Sequence, residues 1–338
     1  MKAYCLDTPG TIDGLVLREL PKPSPGPNDV LIRVRATSIN NRDLMVVHNQ
    51  YGFPIKPGLI PLSDAAGVVE AIGSNVRRFA VGDHVSPTFQ TGWIGGPPRP
   101  EYWGTDLGAS LPGVLAQYIV QNEEAVVRLP AHLSFEEGAT LCCAGITAWA
   151  ALTSPGPVAP GETVLVQGTG GVALFALQFA KAFGARVIAT TSNAEKSKRL
   201  LALGADEVIN YVDTSDWDAK AIALGGGIGV DRVVETGGPT TLARSLAALR
   251  VGGQLSLVGF SGGVGPQLDP LTLLGRGLRI ETIAVGSRND YEAMNRAIAT
   301  RRIGPPVVDR VFGFDEAREA LKYLAARRHI GKIVIRID

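Results

Sequence analysis

A glycine-rich turn constrains the fold of this chain more than any other segment. Residues 168–173 read GTGGVA and directly follow an apolar run at 163–167. Apolar side chains then recur at helical spacing over 172–183, and a second β-type run begins at Arg186. The order strand, glycine turn, helix and strand predicts a βαβ unit whose first turn binds the pyrophosphate of a dinucleotide.

The residue types in this turn fit that chemistry. Gly168 allows the tight turn, Gly170 lets the backbone approach a pyrophosphate closely, and the small Ala173 allows the helix to pack on the strand. Gly171 and Val172 begin the helix, whose free N–H groups and positive dipole end face the phosphates. We therefore expect this loop to bind a dinucleotide.

The alternation of strand and helix continues through the middle of the chain and predicts a doubly wound parallel sheet. Further strands are predicted over 186–189, 207–209, 231–235, 254–258 and 279–284, and further helices over 195–203 and 241–249. The prediction is an α/β domain with a dinucleotide site at the carboxyl edge of its sheet.

The two ends of the chain have a different rhythm. Short β-type runs occupy 15–20, 30–36, 67–72 and 84–86. They alternate with Gly and Pro clusters, which is typical of a β-rich domain that is partly closed like a barrel. Residues 91–112 predict a long loop, either facing a substrate or merely solvated. Helices at 290–300 and 315–327 and a strand at 332–337 can return to this first domain and make it discontinuous.

The end of the second strand of the βαβ unit indicates which dinucleotide is used. A carboxylate at that point accepts a hydrogen bond from a ribose 2′-hydroxyl and repels a 2′-phosphate. This chain has TTSN at 190–193, and Lys196 closely follows. Hydroxyl groups and a cation suit a phosphate, which favours NADP(H) over NAD(H). The alternative is that Lys196 is an ordinary exposed residue of the next helix.

Composition and charge exclude several other classes of protein. The 33 basic and 32 acidic residues nearly cancel, so neither a nucleic-acid nor an anionic membrane partner is indicated. The apolar stretch 139–152 is too short to cross a bilayer, and Asp7 lies where a signal peptide would be apolar. Two of the three cysteines, Cys142 and Cys143, are neighbours, so no disulfide framework is indicated. We expect a cytoplasmic, two-domain protein whose partner is a small molecule.

Motifs along nearly the whole chain point to one enzyme superfamily. They are ATSINNRDL around Asn40, PLSDAAGVVEAIGSNV around Asp64, VGDHV around His84, AGITAW around Thr147, GTGGVA at 168–173, LGADEVINY ending at Tyr211, VETGG around Thr236, VGF at 258–260, VGSR at 285–288 and the closing GKIVI. In these motifs the chain resembles the medium-chain dehydrogenase/reductase superfamily. It resembles more closely the zinc-free quinone oxidoreductase branch, which includes proteins like zeta-crystallin.

The resemblance implies an α/β fold of two domains. A GroES-like, β-rich catalytic domain would comprise residues 1–127 and 287–338, and a Rossmann domain with a doubly wound parallel sheet would comprise residues 128–286. In this family the nicotinamide lies in the cleft between two such domains. The family also forms homodimers or homotetramers, often by edge pairing of the Rossmann sheets, and the predicted strand at 279–284 is the expected seam.

The same resemblance implies which residues contact NADP(H). Together with the glycine loop, they are Thr147, Gly168, Gly170, Gly171, Val172, Thr191, Ser192, Lys196, Tyr211, Thr236, Val258, Gly259, Ser287, Arg288 and Lys332. Of these, Ser192, Lys196 and Tyr211 would surround the 2′-phosphate, and Thr147 and the backbone at 258–259 would lie near the nicotinamide.

Ser287, Arg288 and Lys332 would lie near the cofactor from the other side. Two of the expected cofactor contacts have structural alternatives. Tyr211 can simply pack at the end of a strand, and Lys332 can be a solvated edge residue.

The zinc ligands of related enzymes are missing from this sequence. Matched by motif, Asn40 replaces the first Cys ligand and Ser63 replaces the His ligand, which leaves Cys143 alone at the third position. Residues 91–112 contain no Cys, so the structural four-Cys site of those relatives cannot form. We expect no metal, although Asp64 and His48 are near enough in sequence to be considered as ligands. The alternative role for Cys143 and its neighbour is as small buried apolar residues.

Without a metal to polarise a carbonyl, hydride transfer suits an acceptor that is already electrophilic, such as a quinone or an α,β-unsaturated carbonyl. Asn40 or Arg42 is then the candidate that binds the carbonyl, and Tyr51 is the candidate proton donor. One alternative is a zinc-independent alcohol dehydrogenase or carbonyl reductase. Another is a protein that binds NADPH without catalysing a reaction.

Overall fold

The computed structural model describes residues 1–259, 268, 270–301, 303, 304 and 306–338. It divides into two compact units. The first unit comprises Met1–Ile146 and Ser287–Asp338, and the second comprises Thr147–Gly286.

Within the described residues the strands are β1 (Lys2–Leu6), β2 (Leu15–Glu19), β3 (Asp29–Ile39), β4 (Asp64–Ile72), β5 (His84–Pro87), β6 (Tyr118–Asn122), β7 (Val126–Arg128), β8 (Thr163–Gln167), β9 (Arg186–Thr191), β10 (Glu207–Asn210), β11 (Val230–Glu235), β12 (Leu249–Leu257), β13 (Arg279–Thr282), β14 (Val308–Phe312) and β15 (Lys332–Arg336). The α-helices are α1 (Asn41–Val47), α2 (Phe135–Gly138), α3 (Ile146–Thr153), α4 (Gly171–Ala182), α5 (Ala194–Ala202), α6 (Trp217–Leu224), α7 (Leu242–Ala248), α8 (Pro270–Arg276), α9 (Arg288–Arg301) and α10 (Ala317–Ala325). A π-helical turn at Leu141–Gly145 precedes α3, and short 3₁₀ turns occupy Ile12–Gly14, Pro100–Tyr102, Glu123–Ala125 and Phe314–Glu316.

The second unit contains a parallel sheet, with the order β10-β9-β8-β11-β12-β13 among the described strands. Its central strands are apolar without alternation. Residues 164–166 and 187–189 are completely buried, as expected for strands that are covered on both faces. Helix α4 packs on β8 and β9, and α7 packs on β11 and β12. The predicted doubly wound sheet is confirmed, and the predicted strand 163–167 matches β8 residue for residue.

The first unit contains an antiparallel-rich sheet, with the order β14-β15-β3-β4-β5-β7 among the described strands and with β6 also pairing β3. The last strand of the chain, β15, pairs antiparallel with β3 and parallel with β14. The two ends of the chain are therefore hydrogen-bonded into one sheet. The predicted α/β fold with a β-rich domain and a parallel-sheet domain is confirmed.

The boundary between the units lies later in the chain than the boundary we expect from the sequence. Residues 128–146 belong to the first unit, whereas the sequence assigns them to the dinucleotide domain. These residues begin at the end of β7, which is hydrogen-bonded to β5, and they include α2, which packs on β3 and β4. Both contacts are with strands of the first unit. The second boundary between the units falls at Gly286 and Ser287.

Other differences from the sequence concern short elements. The sequence does not predict α1, α6 or β6, whose runs of five to eight residues give weak periodicity. The predicted loop at 91–112 has a 3₁₀ turn at Pro100–Tyr102 and isolated bridges. It is not merely solvated, because Trp93 and Leu107 in it are buried. No helix among the described residues has the length and apolarity needed to span a membrane.

Candidate functional site

The carboxyl edge of the second unit's sheet contains a switch point between β8 and β11. The chain leaves β8 towards β9 on one side of the sheet order, whereas β11 leads to β12 on the other side. In open parallel sheets a ligand binds in the crevice that forms where the chain changes direction in this way. Gly168 follows the end of β8, and Thr236 follows the end of β11. Both belong to the residues expected to bind the cofactor.

The glycine loop has the geometry that a pyrophosphate needs. Gly168 has a φ of +77°, which L side chains rarely adopt, and its N–H donates to Thr190 O at 2.8 Å. Gly170 caps α4, a helix of 12 residues. A Cβ added at Gly170 would meet no atom within 4 Å, so the space beside the helix N-terminus is open. Gly171 and Val172 are partly exposed in the first turn. These residues fit a dinucleotide phosphate group.

The residues expected to bind the 2′-phosphate lie just beyond the ends of the neighbouring strands β9 and β10. The backbone of Thr191 accepts a hydrogen bond from Tyr211 N at 2.9 Å. Tyr211 is 44% exposed, and its side chain is therefore not packed away at the strand end. Ser192 is exposed beside it. Asn193 accepts hydrogen bonds from the backbone N–H groups of residues 195 and 196, and this cap places Lys196 on the first turn of α5.

A buried carboxylate that the sequence analysis missed organises the loop after β11. Glu235 is completely buried at the end of that strand. Its side chain accepts hydrogen bonds from five groups, Gly237 N (2.7 Å), Gly238 N (2.8 Å), Thr241 Oγ1 (2.7 Å), Gln167 Nε2 (2.9 Å) and Ser245 Oγ. Because two backbone N–H groups and three side chains converge on it, the carboxylate fixes the path of residues 236–241. The sequence signal for Glu235 is only that an acidic residue stands at the end of an apolar strand.

Three of the expected cofactor residues meet at this loop. Thr236 Oγ1 donates to Gln167 O at 3.0 Å. The N–H groups of Val258 and Gly259 both donate to Glu235 O at 2.9 Å. A Cβ at Gly259 would lie 2.0 Å from Thr236 O, so only glycine allows this approach. Phe260, which ends the VGF motif, lies outside the described residues. Thr147, another residue expected to contact the cofactor, is buried in α3.

In the first unit, the sheet register brings Asn40 and Lys332 together from opposite ends of the chain. Ile39 at the end of β3 pairs with Ile333 in β15, so Asn40 and Lys332 are the next pair. Lys332 Nζ donates to Asn40 Oδ1 and, at 2.9 Å, to Ile39 O. Lys332 is only 3% exposed, which excludes the alternative of a solvated edge residue.

The ammonium group of Lys332 also contacts a buried carboxylate. Lys332 Nζ lies 3.3 Å from Asp64 Oδ2, and Asp64 is completely buried. The same carboxylate accepts hydrogen bonds from Ser38 Oγ and Ser63 Oγ, each at 2.9 Å. Asp64 therefore compensates the buried positive charge, as a buried cation requires. The sequence motif around Asp64 gave no indication of this partner.

Arg42 and Tyr51 form a second group of candidate residues. Arg42 is buried and donates to Asp106 Oδ2 at 2.8 Å, to Leu107 O at 2.9 Å and to Asp43 Oδ1 at 3.2 Å. Its guanidinium carbon lies 4.5 Å from the centre of the Tyr51 ring, within the range of a cation–π contact. Arg42 is thus anchored by carboxylates and holds the Tyr51 ring.

The two groups of residues share Asp43. Asp43 Oδ2 accepts the backbone N–H of Asn40 at 2.7 Å, and its other oxygen accepts from Arg42. Burial raises the pKa of Asp43 to about 6, although the charge of Arg42 opposes that rise. Burial also raises the pKa of Tyr51, again against the charge of Arg42, so the phenol keeps its proton at neutral pH.

Ser287 and Arg288, expected near the cofactor, lie at the start of α9. The Ser287 N–H donates to Asp290 Oδ2 at 3.0 Å, and its hydroxyl donates to the same oxygen at 2.5 Å. Arg288 forms an ion pair with Glu124, and its backbone N–H donates to Trp93 O at 2.9 Å. Both residues are therefore tied into the first unit by their own contacts.

The residues at the family's metal position do not fit zinc. Asn40 Oδ1 accepts from Lys332, and Ser63 Oγ donates to Asp64. Burial raises the pKa of the Cys143 thiol well above its usual range, and Cys143 is the single thiol at the matched position, where zinc would need further soft ligands. An amide and a hydroxyl are poor ligands for this ion, and one thiol alone does not hold it. Among the described residues, no group of three or more His, Cys, Asp or Glu is arranged to hold a metal.

Two family models match the chain. One is described as an alcohol dehydrogenase GroES-like domain and matches residues 26–131, and the other is described as a zinc-binding dehydrogenase and matches residues 171–300. The first match falls in the first unit, and most of the second falls in the second unit. Both models therefore match in the order that the resemblance implies.

Full-length relatives give the same result. A protein of Schizosaccharomyces pombe named as zinc-type alcohol dehydrogenase-like is 41% identical over 318 residues, which are 92% of each chain. A quinone oxidoreductase of Sus scrofa is 30% identical over 324 residues, which are 93% of this chain and 90% of the relative. The solved structure of the 2-octenoyl-CoA carboxylase reductase CinF in complex with NADP and 2-octenoyl-CoA has a TM-score of 0.87 and 26% identity, covering 99% of this chain and 87% of that one. The chain belongs to the medium-chain dehydrogenase/reductase superfamily and is an oxidoreductase of that family.

Proposed function

We propose that this chain is an NADPH-dependent, zinc-independent reductase of an activated acceptor, either a quinone or an α,β-unsaturated carbonyl. The observation that carries the proposal is the donor set formed by Asn40, Ser63 and Cys143. Of these, the Asn40 Nδ2 group suits hydrogen bonding to an oxygen atom, whereas the Ser63 hydroxyl already donates to Asp64. An amide, a hydroxyl and one thiol together do not suit zinc. An acceptor that is electrophilic by itself needs no Lewis acid.

The second unit supplies the residues that would hold the cofactor. Gly168, Gly170 and the N-terminus of α4 would bind the pyrophosphate, because the loop is tight and the space beside it is open. Thr236 and Gly259 would approach the cofactor from the loop that Glu235 fixes. When bound, NADPH supplies a hydride which, with one proton, reduces the acceptor by two electrons and leaves NADP⁺.

The preference for NADPH rests on the end of β9. Residues 190–193 carry hydroxyl and amide groups and no carboxylate, and Lys196 and Tyr211 flank them. A 2′-phosphate finds hydrogen-bond donors and a positive charge there, and it meets no repulsion from an acid on that turn. The complex of CinF with NADP supports the proposal by analogy.

The first unit supplies the residues that would act on the acceptor. The Asn40 amide can donate a hydrogen bond to its carbonyl oxygen, because Nδ2 is buried and has no partner among the described residues. Tyr51 keeps its proton at neutral pH and can protonate the carbanionic carbon or enolate oxygen. Arg42 holds the Tyr51 ring and, since its terminal nitrogens are engaged, serves to position it.

A second candidate is reduction of a saturated aldehyde or ketone by NADPH, or the reverse oxidation of an alcohol, without zinc. The similarity to a protein named as zinc-type alcohol dehydrogenase-like favours alcohol or simple carbonyl chemistry, and the poor zinc ligands at positions 40 and 63 favour a reaction without the metal. The same hydrogen bond from Asn40 would serve a simple carbonyl. The acceptor panel below separates the two candidates.

We further propose a cytoplasmic homodimer or homotetramer. Strand β13 is the edge of the second unit's sheet among the described strands, and its unpaired backbone groups suit pairing with a second copy. The three cysteines are free thiols, which suits a reducing compartment.

The test is oxidation of NADPH by metal-stripped protein in the presence of quinones, enones and saturated aldehydes. NADH is run in parallel, and zinc is measured in the same samples. We expect turnover of enones or quinones, a preference for NADPH and no dependence on zinc. Turnover of saturated carbonyls alone would favour the second candidate. Stoichiometric bound zinc that is required for alcohol oxidation would overturn the proposal.

A further inference from the structure

Lys332 uses all the hydrogen-bond donors of its ammonium group inside the first unit. Its Nζ contacts Ile39 O at 2.9 Å, Asp64 Oδ2 at 3.3 Å and Asn40 Oδ1. An ammonium group has three N–H donors and no acceptor. With three oxygen partners and 3% exposure, this lysine has no donor left for a substrate or for a phosphate.

The contact with Lys332 determines the orientation of the Asn40 amide, that is, which side its oxygen faces and which side its Nδ2 group faces. Because the ammonium can only donate, the amide oxygen must face it, and the Nδ2 group must lie on the other side. Nδ2 is buried and has no hydrogen-bond partner among the described residues. A buried donor without a partner is destabilising, so this group is suited to receive an acceptor from a ligand.

The backbone of Asn40 is fixed as well. Its N–H donates to Asp43 Oδ2 at 2.7 Å, and its carbonyl oxygen accepts the Asp43 N–H at 3.0 Å. The antiparallel pairing of Ile39 with Ile333 sets the position of Lys332 opposite Asn40. The amide is thus held at its oxygen, at its backbone and by the sheet register, and only the Nδ2 group remains available.

Building on the proposed function, we propose that Lys332 is a positioning residue that orients Asn40 to donate a hydrogen bond from Nδ2 to the carbonyl oxygen of the acceptor. That oxygen becomes negative when the β-carbon of an enone receives a hydride, and the enolate then takes a proton at the α-carbon. A positive charge at the amide oxygen polarises the amide, so its N–H becomes a stronger donor. Lys332 thereby stabilises the enolate without contacting it.

This role differs from a direct contact with the cofactor, which the sequence resemblance implies for Lys332. A lysine that binds the cofactor would change the affinity for NADPH when it is replaced. A positioning lysine would change the rate of the chemical step and the hydrogen bond to the acceptor, and would leave the affinity for NADPH unchanged. The two roles therefore predict different measurements.

The first measurement is the infrared C=O stretch of ¹³C-carbonyl-labelled 2-cyclohexenone or 1,4-benzoquinone bound to the protein loaded with NADP⁺, in which no hydride is available. A hydrogen bond to the carbonyl lowers this frequency. We expect a shift to lower frequency in the wild type, no shift in Asn40→Ala, and a smaller shift when Lys332 is replaced. If neither probe binds, the proposed function fails and the positioning role fails with it. If a probe binds to the wild type without a shift, the positioning role alone is overturned.

The lysine variant must avoid leaving the Asp64 charge buried alone, because an unpaired buried charge can unfold the protein. The double variant Lys332→Met with Asp64→Asn removes both charges and keeps similar volumes. Arg336→Met is the matched control, because Arg336 lies on the same strand and forms an exposed ion pair with Glu136. We expect kcat to fall about 10- to 100-fold in the double variant, with the Kd of NADPH unchanged, and no change in the control.

Combining the variants tests whether Lys332 acts through Asn40. Asn40→Ala alone should lower kcat about 100-fold, which is the size expected for loss of one donor to a developing oxyanion. Adding Asn40→Ala to the Lys332→Met, Asp64→Asn protein should give no further loss beyond that of Asn40→Ala alone. Losses that multiply, or a tenfold weaker affinity for NADPH in the lysine variant, would overturn the positioning role.

Discussion

The buried polar networks of the two units differ in what they leave unpaired. In the second unit, the two carboxylate oxygens of Glu235 accept five hydrogen bonds, two of them from backbone N–H groups of the loop that follows β11. In the first unit, Lys332 and Asp64 satisfy each other, but Asn40 Nδ2 has no partner among the described residues, and neither does Arg42 Nε in the group that shares Asp43. Both networks are buried, so both are costly if any member is left unpaired.

This difference separates two uses of buried polarity. A network in which every donor meets an acceptor fixes a backbone path, as Glu235 does for residues 236–241. A network that leaves one oriented donor fixes a hydrogen-bonding direction towards a ligand, as we propose for Asn40. The first should be sensitive to mutation mainly in stability, and the second mainly in turnover.

The largest effect should follow from removing the carboxylate of the second unit. Glu235→Ala leaves five donors without their acceptor, and we expect it to lower the free energy of unfolding by about 3–5 kcal/mol. Urea denaturation followed by tryptophan fluorescence measures the loss. The matched control is Glu195→Ala, whose exposed side chain lies at the first turn of α5 and should contribute below about 1 kcal/mol. Similar values for the two variants would show that the hydrogen bonds to Glu235 do not stabilise the second unit.

The next effect is the pH dependence of the unfolding free energy, which tests the buried carboxyl group of Asp43 in the first unit. Burial raises the pKa of Asp43 to about 6, above about 3.9 in an unfolded chain. Between pH 4 and 6 the folded state therefore binds more protons than the unfolded state, and this residue's contribution to stability falls as the pH rises through that window. With about 1.4 kcal/mol for each pH unit of difference in pKa, the change amounts to about 3 kcal/mol.

The measurement is the difference in unfolding free energy between the wild type and Asp43→Asn at several pH values. Asparagine keeps an oxygen for the Asn40 N–H but does not titrate. The wild type should gain stability relative to the variant as the pH falls from 7 to 4. A difference that stays constant over this range, or one of opposite sign, would show that the carboxyl group is not held in this way.

The sequence predicts the second unit better than the first because its signals are local. The glycine turn, the strand before it and the helix after it lie within 163–183, and their order alone determines a βαβ unit. The sequence does not predict the role of Glu235, because an acidic residue at the end of an apolar strand does not reveal how many donors will converge on it. Those donors come from residues 167, 237, 238, 241 and 245.

The site in the first unit depends on contacts that no local pattern contains. Asn40 and Lys332 are named by the sequence analysis as candidates, but their contact requires the pairing of β15 with β3. That pairing joins positions almost 300 residues apart. The placement of residues 128–146 in this unit also depends on contacts between distant segments, since β7 pairs with β5 and α2 packs on β3 and β4. Long-range register is set by tertiary packing, which a single sequence does not reveal.

A smaller effect should show whether the open space beside Gly170 is where the pyrophosphate binds. Gly170→Ala introduces a Cβ that meets no protein atom within 4 Å, so stability should not fall, but the methyl group occupies the space proposed for the pyrophosphate. We expect the Kd of NADPH to rise about 100-fold, or about 2.7 kcal/mol, as measured by fluorescence titration. Gly275→Ala in α8 also meets open space and lies outside the cofactor loop, so it should leave the Kd unchanged. Equal affinities in the two variants would place the pyrophosphate elsewhere.

The smallest effect compares two lysines. Lys332 is buried in the first unit and acts, by our proposal, through a protein group, whereas Lys196 lies on the first turn of α5 and should act on the ligand. A partly exposed charge beside a 2′-phosphate contributes modestly because solvent screens it. Lys196→Ala should therefore lower kcat/KM for NADPH about tenfold, close to 1.4 kcal/mol, and leave kcat/KM for NADH unchanged.

Lys198→Ala is the matched control for this comparison. Lys198 is exposed on the same helix, and residues two positions apart on a helix do not share a face. The control should leave both cofactors unaffected. The loss in Lys196→Ala should shrink as the salt concentration rises, because a screened contact weakens with ionic strength, whereas the effect of replacing Lys332 should not depend on salt. If Lys196→Ala affected NADH and NADPH equally, the lysine would contribute to the helix or to dinucleotide binding in general, and the preference for NADPH would have to come from the hydroxyl groups at 190–192 and from Tyr211.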